Sequence, residues 1–490
     1  METILNELLE QKNVRQNLST LRQRLKDGAD ASKLKEWIAD REDIFLNFLS
    51  HVDAKTRKNA ALLLGDIGYQ NAAAALYEGY EKEQTLFVRG AYLEALEKLN
   101  AEPFLEGLRQ HLTRLGQAVP TEENRKHIAE ELRALRNILI RYDGIVRHSF
   151  DLTQTDNQVL LVTNRNHREV VRRMVEHGTL HPLGVLVHTD DLGALLQVRT
   201  YREMLFPMGE RCFVPAEPVK AAEEIAPWMQ SLCRKYHNEE GSFYFRVECK
   251  GTRTLEERSA FTKRLGAELE RLSAGELINS PRDYEVELRL IENREGRFFP
   301  SLKFYTLPDH RFDYRKHAIS ASIHPSTAAL IVQMARPYLK EEAQIMDPFC
   351  GVGTMLIERN KEVPAREMYA TDIFGEAIEL GRQNAQLAGC VIHFIHRDYF
   401  DFRHDYKFDE IITNMPLRGK KTKEEMDRLY ADFFSKSLEI LDREATIVMY
   451  TNEVGFVKKQ LRLHPEYRLL QETCMQSKTG FYLLIMGVKR

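Results

Sequence analysis

The chain has 490 residues, 43% of them hydrophobic and 29% charged, with a formal net charge of −3. That length predicts two to four domains, and the composition is that of a soluble globular protein rather than a disordered or fibrous one. With no global basic excess, any nucleic-acid surface has to be a local patch. Six scattered cysteines (Cys212, Cys233, Cys249, Cys350, Cys390 and Cys474) form no C-x-x-C pair. This argues against zinc ribbons, iron–sulfur clusters and a disulfide framework, and it fits a reducing cytoplasm. The opening Met1-Glu2-Thr3-Ile4-Leu5 does not read as a signal peptide, and no apolar run is long enough to span a membrane.

Residues 1–142 are poor in proline and carry a helical period. The segment Thr56–Gly65 resembles Val88–Leu96, with Arg57 and Arg89 in equivalent places and a leucine seven residues on in each, Leu64 and Leu96. A repeat of helix pairs predicts a short α-solenoid similar to HEAT repeats, whose concave face would receive a protein partner. A plain helical bundle satisfies the same period. In either case Arg57 and Arg89 read as structural ion-pairing residues.

From residue 156 the pattern alternates. Gln158–Thr163 reads as a strand, Arg168–His177 as a helix, Gly184–His188 as a strand and Leu192–Leu205 as a helix. Ser242–Cys249 predicts a further strand, followed by a basic helix with Arg258, Lys263 and Arg264, and then two strands, Tyr284–Ile291 and Arg297–Phe304. This order resembles a ferredoxin-like subdomain (156–215) followed by a THUMP domain (216–310), a module that binds RNA. The linker Arg311-Phe312-Asp313-Tyr314-Arg315-Lys316 is similar to the Arg-x-Tyr-Arg-like signature that leads such proteins into a methyltransferase. His324-Pro325-Ser326-Thr327 then opens a helix, with Ser326 or Thr327 as its expected cap.

The C-terminal part, 311–490, holds the most informative stretch, Asp347-Pro348-Phe349-Cys350-Gly351-Val352-Gly353-Thr354. It lies between a strand-like run and a helix. Strand, glycine turn and helix make the cradle by which α/β folds hold nucleotide-like ligands. Cys350, with no base near it in sequence, reads as a small packing residue. Asp372 ends a second strand roughly 20 residues on, where a carboxylate meets ribose hydroxyls. Asp398 follows a third strand, placed to accept from an adenine amine. A fourth strand, Phe408–Thr413, leads into Asn414-Met415-Pro416-Leu417, with Arg418, Lys420, Lys421 and Lys423 close behind. Four polar strand ends in series favour a ligand site at the carboxyl edge of a parallel sheet.

Asp347–Thr354 resembles motif I of class I S-adenosylmethionine methyltransferases acting on nucleic acid. Asn414–Leu417 is similar to their Asn/Asp-Pro-Pro-aromatic motif for exocyclic amines. The resemblance implies a Rossmann-like domain with S-adenosylmethionine as cofactor and no metal. It places Asp347, Phe349, Cys350, Gly351, Gly353 and Thr354 in the loop at the methionine end, with Asp372 on the ribose, Asp398 on the adenine and His324 bordering the site. Asn414, Met415, Pro416 and Leu417 become the catalytic residues. Arg418, Lys420, Lys421, Arg311, Arg315 and Lys316 become RNA contacts. Met415 stands where the family has proline, which is tolerable if only the backbone carbonyl is used. Leu417 stands where an aromatic stacks on the base, leaving Phe349, Tyr399 or Phe481 to replace it.

Together with the THUMP-like part, this identifies the chain as similar to guanine-N2 RNA methyltransferases. It would be a cytoplasmic monomer acting on transfer RNA first and ribosomal RNA next. The same amine motif serves adenine-N6 transfer, and the Met415 and Leu417 departures also suit a non-catalytic RNA-binding adaptor.

Overall fold

In the first third the helical period becomes helices alone among the described residues. A computed structural model describes residues 2–116, 121, 124–145, 147–238 and 241–489, which divide into two units, Met1–Val146 and Arg147–Arg490. In the first unit the helices Val14–Lys26, Ala54–Asp66, Leu86–Glu97 and Arg125–Asp143 pack in succession. Their shared core includes Leu18, Leu63, Leu93 and Ile138. The second and third of these approach so closely that a Cβ on Gly65 would lie 2.7 Å from Ala95 Cα. Arg57 binds both Glu83 oxygens at 2.7 and 2.9 Å and donates to the His51 carbonyl at 2.8 Å. Arg89 binds Glu131 at 2.7 Å and donates to the Glu83 carbonyl at 3.0 Å. In both cases the accepting carbonyl lies six residues upstream. The two arginines therefore fill the same structural niche, as their equivalent sequence contexts suggested.

The second unit holds two sheets. The first contains β1 (Asn157–Val162), β2 (Gly178–His181), β3 (Gly184–Thr189), β4 (Glu203–Pro207), β5 (Phe243–Lys250), β6 (Leu277–Asn279), β7 (Val286–Glu292) and β8 (Phe298–Phe304), in the order β2-β3-β1-β4-β8-β7-β5-β6. Pairing of Phe206 with Leu302 joins β4 to β8, so segments 156–215 and 216–310 share one sheet. They also share one core, running from Val159 to Phe304.

The expected helix over Leu192–Leu205 is corrected: helix stops at Leu195, and Glu203–Pro207 is strand. Its leucines suit a helix face, but Leu205 and Phe206 are buried on opposite faces of the sheet, in different core clusters. Pairing with β1 and β8 on either side overrides local propensity there. A helix unread in the sequence, Pro218–Tyr236, is capped by Glu217 and contains Pro227.

The second sheet contains β9 (Gln344–Asp347), β10 (Glu367–Asp372), β11 (His393–His396), β12 (Phe408–Asn414), β13 (Leu441–Thr451), β14 (Tyr467–Gln476) and β15 (Phe481–Lys489). Their order is β11-β10-β9-β12-β13-β15-β14, parallel from β9 through β13, with β15 inserted antiparallel. Helices Pro325–Ala335, Thr354–Glu362 and Gly375–Ala388 pack with Ile345 and Ile412 on one face. Lys423–Ile440 and Val454–Leu463 pack with Met346 and Ile411 on the other. Both faces are buried, so these strands read as continuous apolar runs.

Two ion pairs brace this layer, one of them fully buried. Arg359 binds Glu410 on β12 through Nε at 2.9 Å and Nη2 at 2.8 Å, and both side chains are fully buried. Its remaining donors reach the Val363 and Lys340 carbonyls. Arg199, just upstream of β4, binds both oxygens of Glu358 at 2.7 and 2.8 Å, and Tyr314 donates to the same carboxylate at 2.6 Å. The first sheet is thereby tied to the helix that follows the glycine loop. No described helix is long and apolar enough to cross a membrane.

Candidate active site

Strand order reverses between β9 and β12, and the carboxyl ends of β9, β10 and β12 open there on a cleft of about 710 Å³. The glycine loop forms its floor. Cys350 N–H donates to the Thr371 carbonyl at 3.0 Å, and Gly351 N–H donates to the Asp372 carboxylate at 2.9 Å, so the loop is sewn onto β10. Gly351 (φ +50°) lines the cleft, and a Cβ there would meet nothing closer than Ile319, at 3.9 Å. Gly353 (φ +78°) does not line it, and a Cβ there would lie 2.8 Å from the Phe394 ring. Gly353 shapes the turn and packs against Phe394. Cys350 is buried in the floor, where burial pushes its thiol far up, and it stays an inert packing group.

Asp347 is buried at the end of β9 and accepts from Phe349 N–H at 3.1 Å. Burial pushes its carboxyl up to about 7, and the charge of Asp372 adds to the rise. Asp372 itself accepts from Gly351 and Phe374 N–H groups at 2.9 Å each, so it orders the loop besides facing the cleft. Asp398 lines the cleft, exposed, and caps Tyr399–Asp401 by accepting from Phe400 N–H at 3.0 Å. Thr354 Oγ1 is buried at the start of its helix with no partner among the described residues.

Asn414 to Leu417 lie at the end of β12, all along the cleft. The Asn414 side chain lines the cleft with no protein hydrogen bond among the described residues. Met415 N–H donates to the Tyr450 carbonyl at 3.0 Å, which fixes its peptide against β13. Leu417 is 48% exposed. Of the aromatics expected to replace it, Phe349 lines the cleft. Tyr399 also borders it, but it is buried with its hydroxyl on Ser437, whereas Phe481 stacks on Tyr450 away from the cleft. Arg418, Lys420 and Lys421 stand exposed at the lip, around Gly419.

Three expected site residues lie elsewhere. His324 caps the helix Pro325–Ala335, accepting from Ser326 N–H at 3.2 Å, so the cap expected at Ser326 or Thr327 is His324 instead. Its imidazole packs near Phe312 outside the cleft, and burial with the cations Arg202 and Arg315 pushes it down to about 4. Arg311 is no RNA contact: its side chain is 2% exposed, paired with Asp309 and bonded to the Val198 and Tyr201 carbonyls. Arg315 is half-buried and donates to the Ile323 carbonyl at 3.2 Å. Lys316 is exposed.

Several cleft residues escaped sequence reading. Ile319, Ala321, Ser322 and Ile323 of the linker form one wall. Buried Asn384 holds that wall, bonding both the N–H and the carbonyl of His317 at 3.1 and 3.0 Å. Ile373 and Phe374, directly after Asp372, are 61% and 64% exposed at the rim. Two large apolar side chains left in water beside a strand-end carboxylate were the available signal.

Residues 313–480 match the UPF0020 family model, the RMKL-like methyltransferase domain. The chain is similar to a tRNA (guanine(10)-N2)-dimethyltransferase of Methanothermobacter thermautotrophicus, 30% identical over 131 residues, which are 26% of this chain and 38% of that protein. The chain spans only 31%, 18% and 38% of the length of three curated relatives it matches. TrmN from Thermus thermophilus shares the fold, with a TM-score of 0.51 and 20% identity over 68% of this chain and 99% of that one. A predicted N6-adenine-specific DNA methylase from Listeria monocytogenes does so with a TM-score of 0.50 and 16% identity, over 68% and 96%. Both cover more of the chain than residues 313–480 supply, so the likeness of fold extends beyond the methyltransferase domain.

S-adenosylmethionine is the cofactor of this domain. The residues present suit it: an open glycine turn at Gly351, carboxylates at three strand ends, a buried hydroxyl on Thr354 unpartnered among the described residues, and the apolar rim of Ile373 and Phe374.

Proposed function

We propose that the protein methylates the exocyclic amine of a guanine in RNA, with transfer RNA as the first substrate and ribosomal RNA as the next. The observation that carries this reading is Asn414–Leu417 at the end of β12, sharing one cleft with the glycine loop, Asp372 and Asp398. S-adenosylmethionine supplies an electrophilic methyl group. The chain's own residues then need to position and polarise the amine. Its lone pair is conjugated into the ring, and hydrogen bonds from its N–H groups to Asn414 Oδ1 and the Met415 carbonyl localise it on nitrogen. The amine loses its proton after becoming cationic, so no general base is required.

A base turned out of its helix enters between Leu417 and Phe349, and Arg418, Lys420 and Lys421 hold the flanking phosphates. The THUMP-like character of segment 216–310 supports binding of folded RNA through shape and phosphates. The HEAT-like character of the first unit adds a second surface.

Asp347 gives this reading a pH signature. Asp347, at the methionine end of the loop, would have to be ionised to attract the cofactor's ammonium, and burial pushes its carboxyl up to about 7. Affinity for S-adenosylmethionine is therefore expected to rise with pH, by at most about tenfold per unit below 7, and to level off above. The free fold responds with the opposite sign. The neutral carboxyl is favoured in the folded state, so this group's contribution to stability is lost as pH climbs from 3.8 to about 7. Calorimetric titration of the native chain and Asp347→Asn across this range checks both the slope and its source, since the asparagine variant should show none.

The substrate is tested by incubating the protein with isotopically labelled S-adenosylmethionine and bulk transfer RNA, then analysing the nucleosides by mass spectrometry. Labelled N2-methylguanosine is expected. Labelled N6-methyladenosine would move the reaction to adenine. Absence of cofactor binding would leave the adaptor reading.

A further inference from the structure

The first unit contains a groove of about 1080 Å³ between the helices Val14–Lys26 and Ala54–Asp66. Arg15, Lys55 and Lys58 project along it, and none of the three has a carboxylate within ion-pairing distance among the described residues. Four other cations of this unit are paired, Arg57 with Glu83, Arg89 with Glu131, and Arg22 and Lys98 with Asp66, while others outside the groove, such as Arg24 and Lys33, are also without an ion pair among the described residues. The one acidic residue lining the groove, Asp53, is engaged as a helix cap, accepting from Thr56 N–H at 3.0 Å and Thr56 Oγ1 at 2.8 Å. The remaining lining is mostly neutral donors, among them Gln16, Ser19 and Asn59, together with the Phe87 ring, over which Lys58 sits at 5.8 Å.

Asn13 precedes the helix Val14–Lys26 in a left-handed conformation (φ 48°) and makes no side-chain cap. The N–H groups of Val14, Arg15 and Gln16 consequently have no acceptor among the described residues, at the end of the helix where the dipole favours an anion. Unpaired cations, neutral donors and uncapped N–H groups along one open trough, with no free acid, complement a chain of phosphates. An acidic peptide would also be attracted, but side-chain amides and hydroxyls spaced among separated cations suit the regular charge of a nucleic-acid backbone better.

We infer that this groove binds the sugar-phosphate backbone of RNA, as a second contact outside the methyltransferase domain. The inference rests on the reading of RNA as substrate. The test uses the full chain and fluorescein-labelled bulk transfer RNA, with affinity followed by fluorescence anisotropy across a salt series. In the variant R15E/K55E/K58E, affinity is expected to fall at least about tenfold, and the slope of log affinity against log salt to shrink by about two. R15Q/K55Q/K58Q should show the smaller slope with a milder loss, and it carries the test if charge reversal disturbs the helices by circular dichroism.

Unchanged affinity and slope in a folded triple variant would overturn the groove assignment. Equal displacement of the RNA by polyglutamate of matched charge would overturn it in favour of an acidic protein partner. Failure of the native chain to bind transfer RNA would instead strike the RNA reading itself. Binding of S-adenosylhomocysteine, measured by calorimetry, should stay at the native level in both variants.

Discussion

Replacing Asn414 by alanine is expected to lower methyl transfer to RNA by about 10²–10³-fold, while S-adenosylmethionine binds within about twofold of native affinity. The split follows from position. Asn414 ends β12 on the cleft wall, whereas the glycine loop and Asp372 are on and after β9 and β10. Its amide makes no protein hydrogen bond among the described residues, so truncation strands no buried partner and the melting temperature should hold. Radiolabel incorporation into bulk transfer RNA reads the first effect, and calorimetry with S-adenosylhomocysteine reads the second. Transfer within about threefold of native would remove Asn414 from the chemistry.

Arg359→Met is expected to produce the largest loss of stability. It leaves Glu410 buried, accepting only Lys340 N–H of its present partners, and it leaves the Val363 carbonyl without its donor. Breaking a buried ion pair from one side costs about 3–5 kcal/mol. For a domain of this size that lowers the melting temperature by about 10 °C. Because the chain has more than one unit, the relevant transition is the one that shifts with added S-adenosylhomocysteine. Adding Glu410→Gln removes the uncompensated charge and should recover part of the loss. A transition within about 2 °C of native for Arg359→Met would mean that water reaches the pair. Since Glu410 and Asn414 share β12, the variant should also weaken catalysis through misplacement of the strand end.

The methyltransferase domain was largely legible in the sequence because its parallel strands are buried on both faces. Ile345-Met346 and Ile411-Ile412 send alternate side chains into two cores, so each run is apolar throughout. Elsewhere the local pattern was outvoted. The leucines of 192–205 repeat as on a helix, yet β1 and β8 both require a partner between them, and Glu203–Pro207 supplies it. Pro218–Tyr236, unread in the sequence, runs as one helix through Pro227.

In the site, residues recognised by chemical type, such as Asp347, Asp372 and Asn414, lie on the cleft. Residues chosen for charge in the linker fared worse, because Arg311 spends its donors on Asp309 and two carbonyls. The wall formed by Ile319–Ile323 carried no periodic signal at all. Its position depends on Asn384, sixty-seven residues downstream.

That wall bears on how such a protein can be assembled from parts. The match to the family model begins at residue 313, inside the segment that forms one wall of the cofactor cleft, while Arg199, just upstream of β4, reaches Glu358. A gene fusion or domain exchange made at this seam would hand the recipient a cleft lacking the ion-pair partner of Glu358 on the helix that follows the glycine loop. The first sheet and the methyltransferase domain therefore have to travel together.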